Sequence, residues 1–199
     1  SVMFSPDKST LATGSIDGTI KLWDVAAGTL KKTLTGHKSW VNSLAYRSNG
    51  EWLISGSSDG TVIVWATKTN TAIRTLDATN GEVRSVAISA DGSRLAAGLR
   101  YGTVKIWETA EWKEPISIPG QGDMCAVAFS PSGKLLATTE GDWNRGGIIH
   151  VRDVATGKAV GRYQHTGEVL SVAISADGAI AGAGADKSVR VWDGEKGTR

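Results

Sequence analysis

Apolar and polar residues change places along this chain in short bursts, never with the three-and-four spacing of an amphipathic helix. VNSLAY (41–46), VRSVAI (83–88), MCAVAF (124–129) and VLSVAI (169–174) carry the period-two signature of a strand, and VMF (2–4) is a shorter version of it. Each is followed by a turn of residues that tolerate tight or left-handed backbone: SPDK, RSNG, SADG, SPSG and SADG. LATGS, LISGS, LAAGL, LATTE and AIAGAG then supply a second strand. The third strand is β-branched, as TIKLW, TVIVW, TVKIW, IIHVR or SVRVW, and most copies reach it through an Asp-Gly or Asp-Lys turn. VAAG, TKTN, TAEW and VATG turn the chain again into the more polar KKTLT, AIRTL, EPISI and AVGRY. The pattern predicts four antiparallel strands per unit and no helix.

The units repeat. Trp23, Trp65, Trp107, Arg152 in a worn copy, and Trp192 form one column with a period of about 40 to 45 residues. The units so defined are 1–34, 35–76, 77–118, 119–163 and 164–199 of a single domain covering 1–199. A four-stranded sheet with two apolar faces cannot bury either of them alone, so neighbouring sheets must stack radially. The expected fold is all-β, a β-propeller of four-stranded antiparallel blades.

These residues make the chain similar to the WD-repeat, G-beta-like propeller family over essentially its whole length. The second unit matches best, with Gly36-His37, Ser55, Asp59 and Trp65 at the family's spacings. The resemblance implies that these side chains form a hydrogen-bonded structural tetrad. The first unit retains Thr13, Asp17 and Trp23. The fifth retains His165, Asp186 and Trp192, with Gly182 where a Ser is expected. The third keeps only Trp107, and the fourth, with Arg152, essentially nothing. Family members commonly have seven or eight blades, so five units imply part of a larger ring, incomplete at both ends, with exposed blade faces prone to association. The phrasing SPSGKLLATTE, VRDVATGK and SVAISADG resembles bacterial members.

Composition adds exclusions. Gly contributes 25 of 199 residues and Pro only 4, which fits turns in ordered structure rather than disorder. The formal net charge is +2, with no long run of one sign, so the basic footprint of a nucleic-acid binder is missing. Cys125 is the single cysteine, which rules out an internal disulfide and a Cys-based zinc site and leaves a small buried hydrophobe. No apolar stretch is long enough to span a membrane as a helix. One free cysteine suits the cytoplasm, and a nearly Cys-free chain also suits a bacterial periplasm.

Some residue combinations have the types of a catalytic or metal site. His37, Ser55 and Asp59 have the residue types of a hydrolase triad, but no G-x-S-x-G elbow surrounds Ser55. His37, His150 and His165 fall in different strand contexts without metal-ligand spacing, and each Asp-Gly turn offers one carboxylate where calcium needs several oxygens. No phosphate-binding glycine loop is present. The expectation is therefore no catalytic residue, cofactor, metal or small-molecule substrate. Trp52 reads as packing and Trp112 as a half-buried lid. By the family pattern, one end of the propeller carries Trp40, Asn42, Ser58, Glu82, Arg84, Arg100, Tyr101, Asp123 and Glu168, with Trp143, Asn144 and Arg145 in an insertion at the same end. That mixture of aromatics and Arg has hot-spot composition. The expected function is a protein-interaction scaffold that binds a peptide or protein there, without nucleic acid or membrane. The alternative is a regulatory or positioning region of a larger enzyme carrying a kinase, protease or redox module.

Overall fold

The structure is a computed structural model, and it describes residues 1–79, 81–120, 122–123, 126–142 and 146–193. The first sheet contains β1 (Val2–Phe4), β2 (Thr10–Gly14), β3 (Ile20–Asp24) and β4 (Leu30–Leu34) in sequence order. The second contains β5 (Val41–Tyr46), β6 (Trp52–Ser57), β7 (Thr61–Ala66) and β8 (Thr71–Asp77), and the third β9 (Val83–Ile88), β10 (Arg94–Leu99), β11 (Val104–Glu108) and β12 (Ile116–Ile118). The fourth contains β13 (Val127–Phe129), β14 (Leu135–Asp142), β15 (Gly146–Asp153) and β16 (Ala159–His165). Three strands, β17 (Val169–Ile174), β18 (Ile180–Gly184) and β19 (Val189–Trp192), make up the fifth. All pairing within sheets is antiparallel between strands adjacent in sequence, and no helix occurs among the described residues. The chain thus adopts the all-β blade architecture expected from its alternation. Cys125 and Met124, expected in the inner strand of the fourth unit, lie outside the described residues.

One register recurs. Leu11 pairs with Trp23, Leu53 with Trp65, Leu95 with Trp107, Leu136 with Arg152 and Ile180 with Trp192, so every column residue sits opposite an aliphatic on the second strand. The hairpin ahead of the column is locked by its Asp. Asp59 Oδ1 accepts from the amide of Thr61 at 2.9 Å and from its hydroxyl at 2.6 Å, and Asp17 does the same for Thr19 at 2.8 and 2.7 Å. Gly60 and Gly18 follow with φ of 81° and 82°, a left-handed turn that costs glycine nothing sterically.

Packing between sheets builds the core. Ala12, Ile20 and Leu22 of the first sheet meet Val41, Leu53 and Trp65 of the second; Ile54, Val62 and Val64 of the second meet Leu95, Ala97 and Trp107 of the third. Ala96, Val104 and Ile106 then meet Val127, Leu136 and Val154, and Ala137, Ile149 and Val151 meet Val172, Ile180 and Trp192. Each column tryptophan from the second sheet onward therefore faces the preceding sheet. The outward faces of the first and fifth sheets are exposed at Val2 and Phe4 and at Leu170, Val189 and Val191.

Gly56 marks a close approach between the second and third sheets. A Cβ built there falls 2.5 Å from Val83 Cγ1 and 2.7 Å from Val86 Cγ1, inside the contact distance of carbon atoms. Gly56→Val is expected to push the two sheets apart and to cost about 1–3 kcal/mol of stability, read as a lower urea midpoint. An unchanged midpoint would show that this interface is not close-packed.

Candidate functional site

The loops entering the first strand of each sheet and those joining the second and third strands share one end of the fold, and the described rim residues gather there. Ser58 N–H donates to the Trp40 carbonyl at 2.9 Å, Arg100 N–H to that of Glu82 at 2.8 Å, Gly141 N–H to that of Asp123 at 3.2 Å and Ala185 N–H to that of Glu168 at 2.9 Å. Trp40, Glu82, Asp123 and Glu168 thus hold equivalent places in four successive sheets.

Between the second and third sheets these residues become a network. Asn42 Nδ2 donates to Ser58 Oγ at 2.9 Å and across the gap to the Val83 carbonyl at 2.8 Å. Glu82 receives Arg100 Nη1 at 2.9 Å and Arg84 Nη2 at 3.2 Å, with Ser58 Oγ at 3.5 Å. The Arg100 guanidinium lies 5.2 Å over the Tyr101 ring. The Glu82 hydrogen bond, chiefly, with Tyr101 and Asp123 adding to it, raises the pKa of Arg100. Asn42, Ser58 and Glu82 are largely committed to one another. Trp40, 54% exposed, and Tyr101, 63% exposed, stand out from this base as large accessible aromatics. Glu168 stands at the entry to the fifth sheet. Trp143, Asn144 and Arg145 lie outside the described residues.

Below the rim of the second sheet, Trp65 Nε1 donates to Ser55 Oγ at 2.8 Å, Ser55 Oγ lies 2.7 Å from His37 Nε2, and His37 Nδ1 lies 3.1 Å from Asp59 Oδ2. A neutral imidazole protonated on Nδ1 satisfies every member: it donates to Asp59 and accepts from the serine hydroxyl. Burial lowers the His37 pKa, against the opposing effect of Asp59. For Asp59, burial pulls the pKa upward, but hydrogen bonds from Thr61 and the Lys38 amide, with His37, outweigh it and hold it below the ordinary value. Although Ser55, His37 and Asp59 have the connectivity of a hydrolase triad, Ser55 is 0% exposed and already accepts the indole N–H. No substrate can reach that oxygen. Among the described residues, no group of three or more His, Cys, Asp or Glu side chains converges as for a metal ion.

The profile of the WD domain, G-beta repeat family matches residues 1–24, 28–66, 70–108, 112–146 and 157–193. The chain belongs to the WD40 repeat family. Curated relatives include the nuclear distribution protein PAC1 of Tuber melanosporum, 57% identical over 44 residues, which are 22% of this chain and 10% of that protein. Ribosome assembly protein 4 of Chaetomium thermophilum is 46% identical over 54 residues, 27% of this chain and 10% of that protein. Nuclear distribution protein nudF 2 of Aspergillus clavatus is 52% identical over 44 residues, again 22% and 10%. The matched stretch is about a tenth of each relative's length. These relatives are fungal, so the bacterial membership read from the phrasing of the repeats has no support.

The other WD40 units treat the tetrad differently. In the first, Trp23 Nε1 donates to Thr13 Oγ1 at 3.0 Å while Asp17 holds its turn. In the fifth, His165 Nδ1 is 3.3 Å from Asp186 Oδ2 and packs edge-on against Trp192 at 6.2 Å; a Cβ on Gly182 would meet Ile149 Cδ1 at 2.6 Å. The third unit has Thr79 where His37 stands and Ala97 where Ser55 stands. Buried Lys105 fills the space, and its Nζ donates to Thr79 Oγ1 at 2.7 Å. Sequence reading missed this substitution, because a lysine in a strand signals solvent.

The fourth unit also retains more than expected. By the register, Thr138 stands two residues beyond the partner of the column residue, as do Thr13 and Ser55. Its Oγ1 and the Nε of Arg152 are both buried without a partner among the described residues. The longer hairpin between them, 14 residues from Thr138 to Arg152 where Ser55 to Trp65 spans 10, hid the match.

Two expectations follow. His37→Ala should cost about 1–3 kcal/mol by stranding Ser55 and Asp59. Because the folded His37 pKa is depressed, its stabilisation is complete above the ordinary value of 6.5 and is lost as pH falls through the lower folded value. The stability gap between chain and variant should therefore narrow from pH 7 to pH 5 in urea titrations, and a constant gap would count against the neutral imidazole. Arg152→Trp should give Thr138 the indole donor it lacks. The expected coupling in a double-mutant cycle with Thr138→Val is about 0.5–1.5 kcal/mol, and zero coupling would mean that the two side chains do not meet.

Proposed function

We propose that this chain is a non-catalytic interaction scaffold that holds a peptide or protein partner on the rim bearing Trp40, Arg84, Arg100 and Tyr101. WD40 membership and the partial likeness to proteins of nuclear distribution and ribosome assembly support a general adaptor role. The observation that carries the finer reading is the pair of exposed aromatics, Trp40 and Tyr101, standing over the Arg84–Glu82–Arg100 cluster. Glu82 holds both arginines in place and offsets one of their two positive charges, so these side chains lose little conformational entropy when a partner meets them. Exposed aromatics on a preorganised polar base are the usual anchors of a protein interface. Asp123 and Glu168 extend the rim along the next two sheets.

We infer further that the five sheets belong to a ring of seven or eight blades and that the unit is incomplete at both ends. Val2 and Phe4 on the first sheet and Leu170, Val189 and Val191 on the fifth occupy faces that, between the inner sheets, are covered by a neighbour. Added blades are expected to raise the urea midpoint and to abolish concentration-dependent scattering. If residues 1–199 alone are a compact, cooperative monomer, the larger ring is wrong.

For the rim, affinity capture quantified by mass spectrometry should return a partner whose retention falls about tenfold or more for Trp40→Ala with Tyr101→Ala. Lys134→Ala, on the exposed turn between β13 and β14 at the opposite end, should leave it unchanged. Retention that survives the aromatic pair, or is lost equally with Lys134→Ala, would remove the rim as the docking site.

A further inference from the structure

A groove of about 630 Å³ opens between the first and second sheets at the end opposite the rim. It does not depend on the rim reading. Its floor is apolar, formed by Leu22, Leu34 and Leu53, and Tyr46 contributes a wall. Ser5, Thr10, Gly50 and Asn70 edge the opening, with Lys31 beside them.

The next interface shows what such a space accommodates. Between the second and third sheets, Trp52 and Trp112 pack at 5.7 Å, Arg47 lies 4.4 Å over Trp52, and Arg74 lies 5.8 Å over Trp112. Backbone hydrogen bonds fix the correspondence. Ser5 N–H donates to the Thr10 carbonyl as Arg47 N–H donates to that of Trp52, at 2.8 and 2.9 Å. Asn70 and Trp112 both take left-handed backbone, with φ of 55° and 51°, and their amides close the same turn onto Ala66 and Glu108 at 2.8 and 2.9 Å. Gly92 is covered by the Arg47 side chain, whereas its counterpart Gly50 meets only Pro6, at 3.9 Å. The groove is therefore the site of an aromatic pair and its arginine, in which the large residues have become Ser5, Thr10 and Asn70.

We propose that this groove binds a tryptophan side chain presented by a partner peptide. The flat ring would lie on the leucine floor against Tyr46, in the space its counterparts Trp52 and Trp112 fill one interface further on. Lys31, whose Nζ lies 3.6 Å from Asp24 Oδ2 and 3.4 Å from Thr10 Oγ1 at the mouth, would supply the cation that Arg47 and Arg74 supply there, which favours an electron-rich indole over an aliphatic of similar size. Ser5 Oγ donates to Asp7 at 2.6 Å and accepts from the Thr10 amide at 2.9 Å, and Thr10 Oγ1 accepts from Lys31 at 3.4 Å, so the Asn70 side-chain amide would be the partner of the indole N–H and the flanking peptide groups. The volume falls within the few hundred to about 1,000 Å³ of ordinary ligand pockets, so the site takes the ring with part of its backbone.

The test is an amide NMR titration of the whole chain with N-acetyltryptophanamide, beside N-acetylleucinamide as the aliphatic control. The tryptophan probe should shift Thr10, Gly50 and Asn70 saturably, with the leucine probe at least about tenfold weaker. Thr10→Trp and, separately, Asn70→Trp fill the groove from within. Each should abolish those shifts while leaving the amide spectrum of the third to fifth sheets unchanged. Trp40→Ala with Tyr101→Ala should leave the binding intact. Equal response to the two probes, shifts centred on the rim or on Val189 and Val191, or shifts that persist in both filled variants would each overturn the proposal.

Discussion

Every sheet of this protein is apolar on both faces, and the rest of the structure follows from the need to cover them. A strand such as β7 cannot alternate between core and solvent, because Val62 and Val64 look toward the third sheet while Ile63 and Trp65 look toward the second sheet's other neighbour. Burial on both sides at roughly 25 cal/mol per Å² makes stacking the dominant stabilising term. It also makes the repeat self-propagating, since each covered face leaves another to cover. The exposed Val189 and Val191, on the last described strand, are the counterparts of the fully covered Val62 and Val64.

Stacking decides which faces meet but leaves the strands, entering loop and hairpin of one sheet free to shift a little against one another. The hydrogen-bonded chain from Trp65 through Ser55 and His37 to Asp59 removes that freedom by tying the third strand, the second strand, the entering loop and the hairpin of one sheet together. Its variants elsewhere keep only parts of it. Trp23 and Thr13 keep the strand-to-strand bond alone, Lys105 and Thr79 bind loop to strand without the histidine, and in the fourth sheet Thr138 and Arg152 stand near each other with nothing made. All four sheets nonetheless keep the same register opposite an aliphatic. The polar network therefore refines a placement that apolar packing has already made, and losing it from one sheet is tolerable while its neighbours hold it in place.

How much was legible in the sequence depended on whether a feature lies within one repeat. Strand order, the Trp column and the Asp turns are local, and residue spacing alone places them. Thr138 was hidden because a longer hairpin shifted the spacing that would have flagged it. Lys105 was hidden because burial of a lysine depends on Thr79 in a different segment. The rim was legible as a set of positions, yet the sequence could not tell which members work on one another. Only the geometry separates Asn42 and Glu82, which hold the rim together, from Trp40 and Tyr101, whose rings are exposed above it. The groove was wholly invisible, since it arises from the meeting of Thr10 with Asn70, 60 residues apart in the chain and facing each other across two sheets.

A repeat protein acquires specific chemistry where its copies cease to agree. The scaffold demands the aliphatic opposite the column, the turn Asp and the small residue at Gly56, and these carry no information about partners. At positions the stacking does not constrain, the copies diverge: Asp59 becomes Tyr101, placing a phenol on the rim, and Trp52 and Trp112 become Thr10 and Asn70, opening a groove. Both differences sit where two sheets meet at an end of the fold. There a single substitution changes the surface without exposing either apolar face, so recognition can vary while the core stays fixed. The two ends of one interface series are thus different surfaces, one presenting exposed aromatic rings and the other an open groove.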